Sequence, residues 1–231
     1  MDNRYYFTKT EGSKILIQGG EAQHLSKVRR CKIGDKIVAF NGDGFDYNLR
    51  VTNISKDEVV CEVIDKNQNK AMNDQEITVY LAMIKNDALC EAIDCMAELN
   101  VKNVKLFRSD FSVAVIDDKK LEKLNNIAIQ ASKQCERADV MKVSIINKKD
   151  IQSDAEKFKN LFFAYENSTS KISKFSGDFA VIIGPEGGFS EQENQLFSSI
   201  AKNISLSKTI LRAQVACVCA VSALKAVSCE G

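Results

Sequence analysis

The sequence predicts an α/β domain preceded by a small β-barrel, and three observations predict it. From Glu76 onward, strand-like apolar runs alternate with amphipathic helical stretches, the pattern of a mostly parallel sheet covered on both faces. Before about residue 70 the chain carries short β-rich runs with turns, including the hairpin signal Asn41-Gly42-Asp43-Gly44. Between them, Asp65 to Gln75 is polar and lacks apolar periodicity, as an inter-domain connection would. The boundaries read as 1–70 and 71–231, and 231 residues suffice for two such domains.

In the first part, strands are expected at Tyr5–Phe7, Lys14–Ile17, Lys36–Phe40, Tyr47–Ile54 and Glu58–Ile64. Glu21 to Val28 reads as a single helical segment ending in Arg29-Arg30. His24, Lys27, Arg29, Arg30, Lys32 and Lys36 cluster here, opposed only by Asp35. Such a cluster is either a phosphate-gripping patch on an RNA-binding barrel or a solvated charged face. His24 by itself is more often structural than catalytic.

In the second part, Glu76–Ile84 reads as a strand, and Asn86 or Asp87 caps a helix whose Leu89, Ile93 and Met96 share a face. Asn100 stands where a left-handed residue closes that helix, and Val101–Phe107 is the next strand. A helix is expected over Asp118 to Arg137, strands at Val143–Ile146 and Leu161–Tyr165, and a weak helix near Asp154–Lys159.

The organising stretch is Phe179 to Glu193, FAVIIGPEGGFSEQE. Five apolar residues suit a strand buried on both faces. Gly184 and the only proline, Pro185, stop it, and Ser190 with Glu193 forms an S-x-x-E capping box opening a helix to Lys202. The loop matches neither G-x-G-x-x-G nor the P-loop, and Glu186 would repel a phosphate. A neutral or cationic ligand fits it better; the plain alternative is a tight turn with no ligand. A short strand at Ile204–Leu206 and a helix from about Ile210 finish the chain.

That last helix is nearly all apolar from Val215 to Val227, too short for the roughly 20 residues of a bilayer span. It reads as a core or dimer-interface helix, with no membrane anchor expected. Arg212 stands at its head, where burying a guanidinium is costly unless it is paired or faces a site. A structural salt bridge is the alternative to a functional role.

The formal charge is +1, so any nucleic-acid surface has to be a local patch rather than a basic tail. Eight cysteines without a C-x-x-C pair, and a single histidine, make a metal site improbable. Buried free thiols in a reducing cytosol are expected instead. Met1 is followed by polar residues, so no secretory signal is read and a cytoplasmic location is expected.

With both loops in view, the chain resembles the RsmE family of ribosomal RNA methyltransferases in the SPOUT superfamily. The matching residues are IIGPEGGFSEQE at 182–193, LSKTILRAQVA at 206–216 and HLSKVRR at 24–30 with Ile33-Gly34-Asp35. Glu98-Leu99-Asn100-Val101 and the segment Gln134 to Arg137 give further support. The resemblance implies a PUA-like β-barrel joined to a SPOUT α/β domain whose C-terminal end threads a deep trefoil knot. It implies S-adenosyl-L-methionine as cofactor, a homodimer through the knotted domain, and methylation of uridine N3 in 16S rRNA of the small ribosomal subunit.

Carried over residue by residue, the resemblance places the cofactor between three segments. They are Ala164, Tyr165 and Glu166; Ile183, Gly184, Pro185, Glu186, Gly187 and Gly188; and Leu206 to Leu211, with Leu206, Ser207, Ile210 and Leu211 foremost. Arg212 would stabilise charge on the uridine carbonyls, Glu186 is a candidate base beside solvent, and His24, Lys27, Arg29 and Arg30 would hold RNA. The chain departs from the family pattern at Ser207, Gln214, Val215, Phe111, Cys95 and Met141. A non-catalytic RNA-binding or assembly protein of the same fold, and a nucleotide-binding enzyme, are the alternatives.

Overall fold

The computed structural model describes residues 4–71 and 75–229, which divide into two compact units. The first comprises residues up to 72 together with 132–140; the second comprises 73–131 and 141–231. Residues 132–140, which the sequence pattern assigns to the second domain, therefore group with the first.

The first unit is a six-stranded sheet of β1 (Arg4–Tyr6), β2 (Lys9–Glu11), β3 (Lys14–Gln18), β4 (Lys36–Phe40), β5 (Phe45–Ile54) and β6 (Glu58–Gln68). Their spatial order is β1-β4-β5-β6-β3-β2, with β1 and β4 parallel and the other pairs antiparallel. Tyr5 of β1 and Ile15 of β3, near opposite ends of that order, share one core with Ile37, Leu49 and Val59. A single core fed from both ends requires the sheet to curl on itself, as a small barrel does. The polar residues Asp65–Gln68, expected to be linker, extend β6 instead.

The expected single helix over Glu21–Val28 is a short α-helix, α1 (Gly19–Gln23), running into a π-helical turn at His24–Val28. The chain leaves this turn through Arg30 at φ +52, a left-handed conformation uncommon for a side chain of that size. Arg137 and Asp139 pair in the interior of this unit at 2.8 Å, and the Arg4 guanidinium donates to the Arg137 carbonyl at 3.0 Å. These contacts tie residues 132–140 to the first strand.

The second unit is a wholly parallel six-stranded sheet. Its strands are β7 (Ile77–Ala82), β8 (Asn103–Phe107), β9 (Lys142–Ile145), β10 (Asn160–Ala164), β12 (Phe179–Ile183) and β13 (Lys202–Ile204), and its order is β13-β10-β12-β7-β8-β9. A two-residue strand, β11 (Phe175–Ser176), lies outside this sheet and pairs with β14 (Ser228–Cys229). The helices are α2 (Asn86–Glu98), α3 (Asp118–Gln134), α4 (Ile151–Ala155), α5 (Glu191–Ile200) and α6 (Ala213–Val227).

All residues of β7 and β12 are buried, because helices cover both faces. Tyr80, Phe107, Phe163, Ala180 and Phe197 pack with Ile151 and Ala155 on one side. Asn100 closes α2 in the left-handed conformation that the sequence predicts, at φ +63. Seven cysteines are free among the described residues, but only Cys61 and Cys217 are fully buried, their thiols pushed up to about 12 by burial.

Candidate functional site

Two connections leave the carboxyl ends of the neighbouring strands β7 and β12 in opposite directions. From β7 the chain runs through α2 to β8; from β12 it runs through α5 to β13, on the far side of the sheet. In parallel sheets such a divergence marks the end of the sheet where ligands bind, and a cavity lies on its β12 side.

The turn after β12 is fixed by its own residues. A Cβ on Gly184 would lie 2.9 Å from Cε2 of Phe189, so the ring that folds back over this position requires glycine. Phe189 in turn packs with Phe107, Phe163 and Phe197. Gly188 takes φ +72 and donates its N–H to the Pro185 carbonyl at 3.0 Å. Ser190 then caps α5 through the predicted box: its Oγ accepts from the Glu193 N–H at 3.3 Å, and its N–H donates to Glu193 Oε2 at 3.0 Å.

Glu193 does more than close the box. Only 2 % exposed, it accepts from the Asp110 N–H at 2.9 Å and from Lys148 Nζ at 2.8 Å. Asp110 accepts from Lys148 and from the Ser190 hydroxyl, both at 2.5 Å. Hydrogen bonds from Lys148 and then Ser190 hold the Asp110 carboxyl below the usual aspartate range. The glycine turn, the start of α5 and the loop after β8 thus form one connected network.

A cavity of about 160 Å³ lies at the ends of β10, β12 and β13. Ala164, Tyr165 and Glu166 form one side, Ile183, Gly184, Pro185 and Gly188 the second, and 205–211 the third. Phe189, Asn194 and the small residues Ala213 and Ala216 complete the lining, and its charged residues are Glu166 and Lys208. The third side is held by lighter bonds. Ser205 donates its N–H to the Ser170 carbonyl at 3.0 Å, and the hydroxyls of Ser207 and Thr209 lie 2.9 Å apart. Ile210 is 90 % exposed.

Of the residues singled out in the sequence for the cofactor, Glu186 and Gly187 do not line this cavity; the others do, including Leu206, Ser207, Ile210 and Leu211. Glu186 turns away because its carboxylate accepts from the Lys85 N–H at 3.2 Å. Lys85 is the N-cap of α2, a helix start with no side-chain cap of its own, so Glu186 supplies the missing acceptor. Gly187 faces Phe111.

Arg212 is exposed and makes no ion pair among the described residues, contrary to both a buried and a salt-bridged arginine. The reason is local. Its backbone is still extended (φ −64, ψ 149), and α6 begins at Ala213 rather than near Ile210. It stands between Leu211 and Ala213, two residues of the cavity lining.

The four residues singled out for RNA lie in the first unit. Lys27, Arg29 and Arg30 are exposed; burial pushes the Tyr5 hydroxyl up, and the nearby positive charge of Arg29 opposes that shift. His24 is half-buried, its ring 6.0 Å from that of Tyr5, which makes it part of the core's edge rather than of an open surface. Sequence reasoning missed Phe189, Asn194, Ser205, Ala213 and Ala216 in the cavity. Ala213 and Ala216 were visible as small residues, but as a helix-packing face. Among the described residues no cluster could hold a metal ion, and no helix is long and apolar enough to cross a membrane.

Comparison with known proteins agrees with this geometry. Residues 71–225 match the family model of the RNA methyltransferase domain, and residues 17–64 that of the RNA methyltransferase PUA domain. The ribosomal RNA small subunit methyltransferase E of Bacillus subtilis is 30% identical, over 96% of this chain and 95% of that protein. Two solved structures share the fold over 98% of both chains. One is a Legionella pneumophila methyltransferase in complex with the cofactor SAM (TM-score 0.86, 24% identity). The other is the Neisseria gonorrhoeae ribosomal RNA small subunit methyltransferase E bound to S-adenosyl methionine (TM-score 0.84, 23% identity). The chain belongs to the ribosomal RNA small subunit methyltransferase E family, the RsmE family that the two loops resemble.

Proposed function

We propose that this protein methylates N3 of a uridine in 16S rRNA of the small ribosomal subunit, with S-adenosyl-L-methionine as donor, in the cytoplasm. The observation that carries the proposal is the cavity at the ends of three parallel strands, walled by a glycine turn and adjoined in the chain by an unpaired arginine. The residues present suit that cofactor. Gly184 and Gly188 keep the wall free of side chains, and Glu166, whose Oε1 lies 3.6 Å from a Cβ built on Gly188, offers a carboxylate to a cation. Backbone groups of Leu206 to Leu211 would hold the adenine, and Ala164 to Glu166 the opposite side. The group itself supplies an electrophilic methyl on a sulfonium.

The chain's residues do the rest. N3 of uridine loses a proton as it gains the methyl, and negative charge spreads onto the two flanking carbonyl oxygens. Arg212, exposed and with no ion pair among the described residues, is free to donate hydrogen bonds to them. Glu186 already accepts from the Lys85 N–H and lies outside the cavity lining, so solvent is the better proton acceptor. In this reading residues 1–70, joined by 132–140, form the RNA-gripping barrel, and the remainder of 71–231 forms the methyltransferase domain. Lys27, Arg29 and Arg30 grip phosphates, and His24 orients their turn. The reading includes the knotted C-terminal end and a homodimer in which a second copy covers the exposed apolar residues Ile210 and Val215.

The test is Arg212→Ala. Its kcat on unmethylated small subunits is expected to fall about 10²- to 10³-fold, with S-adenosylmethionine affinity and the urea midpoint unchanged. Full turnover in that variant would remove Arg212 from the mechanism. Absence of cofactor binding by the parent chain in calorimetry would remove the mechanism itself.

A further inference from the structure

The loop between β8 and α3 carries an apolar surface that neither the fold nor the cavity uses. Along Phe111–Ile116 exposure alternates: Phe111, Val113 and Val115 are 52 %, 76 % and 61 % exposed, while Ser112 and Ile116 are buried. Three apolar side chains in a row on the solvent side cost solubility and contribute no core, so such strips mark contact sites. Position is the second observation. A Cβ built on Gly187 would lie 3.4 Å from Cβ of Phe111, which places this aromatic against the glycine turn whose Gly184, Pro185 and Gly188 line the cavity.

The third observation is rigidity. Ser112 donates its N–H to the Ser109 carbonyl at 3.1 Å, and the two hydroxyls lie 3.0 Å apart in the interior. Asp110, next to Phe111, is held by Lys148, Ser190 and Glu193. The backbone on both sides of a ring exposed to water is thereby anchored, through the buried Ser109, Ser112 and Glu193. The last observation is charge. Lys148 engages Asp110, whereas Arg108 is exposed and makes no ion pair among the described residues, so the free charge on this turn is positive.

We propose that Phe111 is a stacking platform for an unpaired base of the RNA substrate, with Arg108 gripping the adjoining phosphate. The proposal rests on the methyltransferase reading and adds a positioning residue to it. An enzyme that reacts at a ring nitrogen needs its target out of the duplex stack, and a fixed aromatic beside the site stabilises an unstacked neighbour. Any base has a π-face, so the platform adds affinity and position rather than sequence choice.

The chain contains no tryptophan, so Phe111→Trp introduces a single fluorescent reporter on the platform. The probe is the small ribosomal subunit, with its 16S rRNA, from cells lacking this gene. Its addition is expected to quench the emission of Phe111→Trp. In methyl transfer to the same RNA, Phe111→Ala and Phe111→Leu are expected to raise the RNA KM about tenfold with kcat little changed, while tryptophan holds KM near the parent value. Affinity for S-adenosylmethionine should not move, since Phe111 lies outside the cavity lining.

Leucine behaving like phenylalanine would show that apolar bulk, not stacking, is at work, and would overturn the proposal. So would an unquenched tryptophan, or a Phe111→Ala chain whose sedimentation shifts, which would make the strip a self-association face. Quenching with a parent chain that transfers no methyl group would keep the platform and remove the methyltransferase reading.

Discussion

The two loops that face each other across the cavity are built in different ways. The turn from Gly184 to Ser190 is anchored in the aromatic core through Phe189, in helix α5 through the Ser190–Glu193 box, and in helix α2 through Glu186 and the Lys85 N–H. The stretch from Ser205 to Leu211 is held by the Ser205–Ser170 backbone bond and by Ser207 and Thr209, with Ile210 in water. One side of the site is set before a ligand arrives. The other has few contacts to lose and is free to adjust to a ligand or a second copy.

The sharpest way to break this contrast is to remove the centre of the rigid side. Glu193→Ala deletes the acceptor shared by Asp110, Lys148 and Ser190 and leaves Lys148 with one partner. A loss of roughly 2–3 kcal/mol in urea unfolding is expected, combining a lost cap with a broken, largely buried ion pair. Cofactor affinity should fall with it, because the glycine turn is held by the same residue. A loss below that of an ordinary surface substitution would mean that the wall is not preset.

Next in size is the contrast between two glycines of this turn, Gly184 and Gly187. Gly184→Ala forces a methyl group to 2.9 Å from a ring carbon of Phe189, so the ring has to move, and Phe189 lines the cavity. About 1–3 kcal/mol of destabilisation is expected, with at least a tenfold loss of cofactor affinity in calorimetry. Gly187→Ala, whose methyl would meet only Phe111 at 3.4 Å, should change cofactor affinity little. Equal effects at the two positions would deny Phe189 its special role.

The rigid side was also the legible side. An apolar run, a Gly-Pro stop and S-x-x-E are local signals, and the strand Phe179–Ile183 and the box fall where those signals put them. The adaptable side was not legible to the same degree. Its strand ends at Ile204 instead of Leu206, and α6 starts at Ala213, because Ile210 and Leu211 imitate the apolar beginning of a helix while lying in a loop. Hydrophobicity marks burial only where something covers the residue. The direction of Glu186 depended on Lys85, more than a hundred residues earlier in the chain, and residues 132–140 joined the first unit through Arg137 and Asp139. Long-range hydrogen bonds leave no periodic trace.

The smallest expected effect tests the adaptable side directly. Ser207 accepts from the Thr209 N–H at 3.1 Å, and both residues are exposed. Ser207→Gly removes this bond and frees the backbone, yet touches no core residue, so global stability should change by less than about 0.5 kcal/mol. The Thr209 amide should exchange with solvent faster, and the cofactor should dissociate severalfold faster, since an entropy cost of ordering the loop is added to binding. If this substitution instead lowered global stability as much as Glu193→Ala, the loop would be part of the folded scaffold. The two sides of the cavity would then be alike, and the adaptable side would have to be sought elsewhere in the lining.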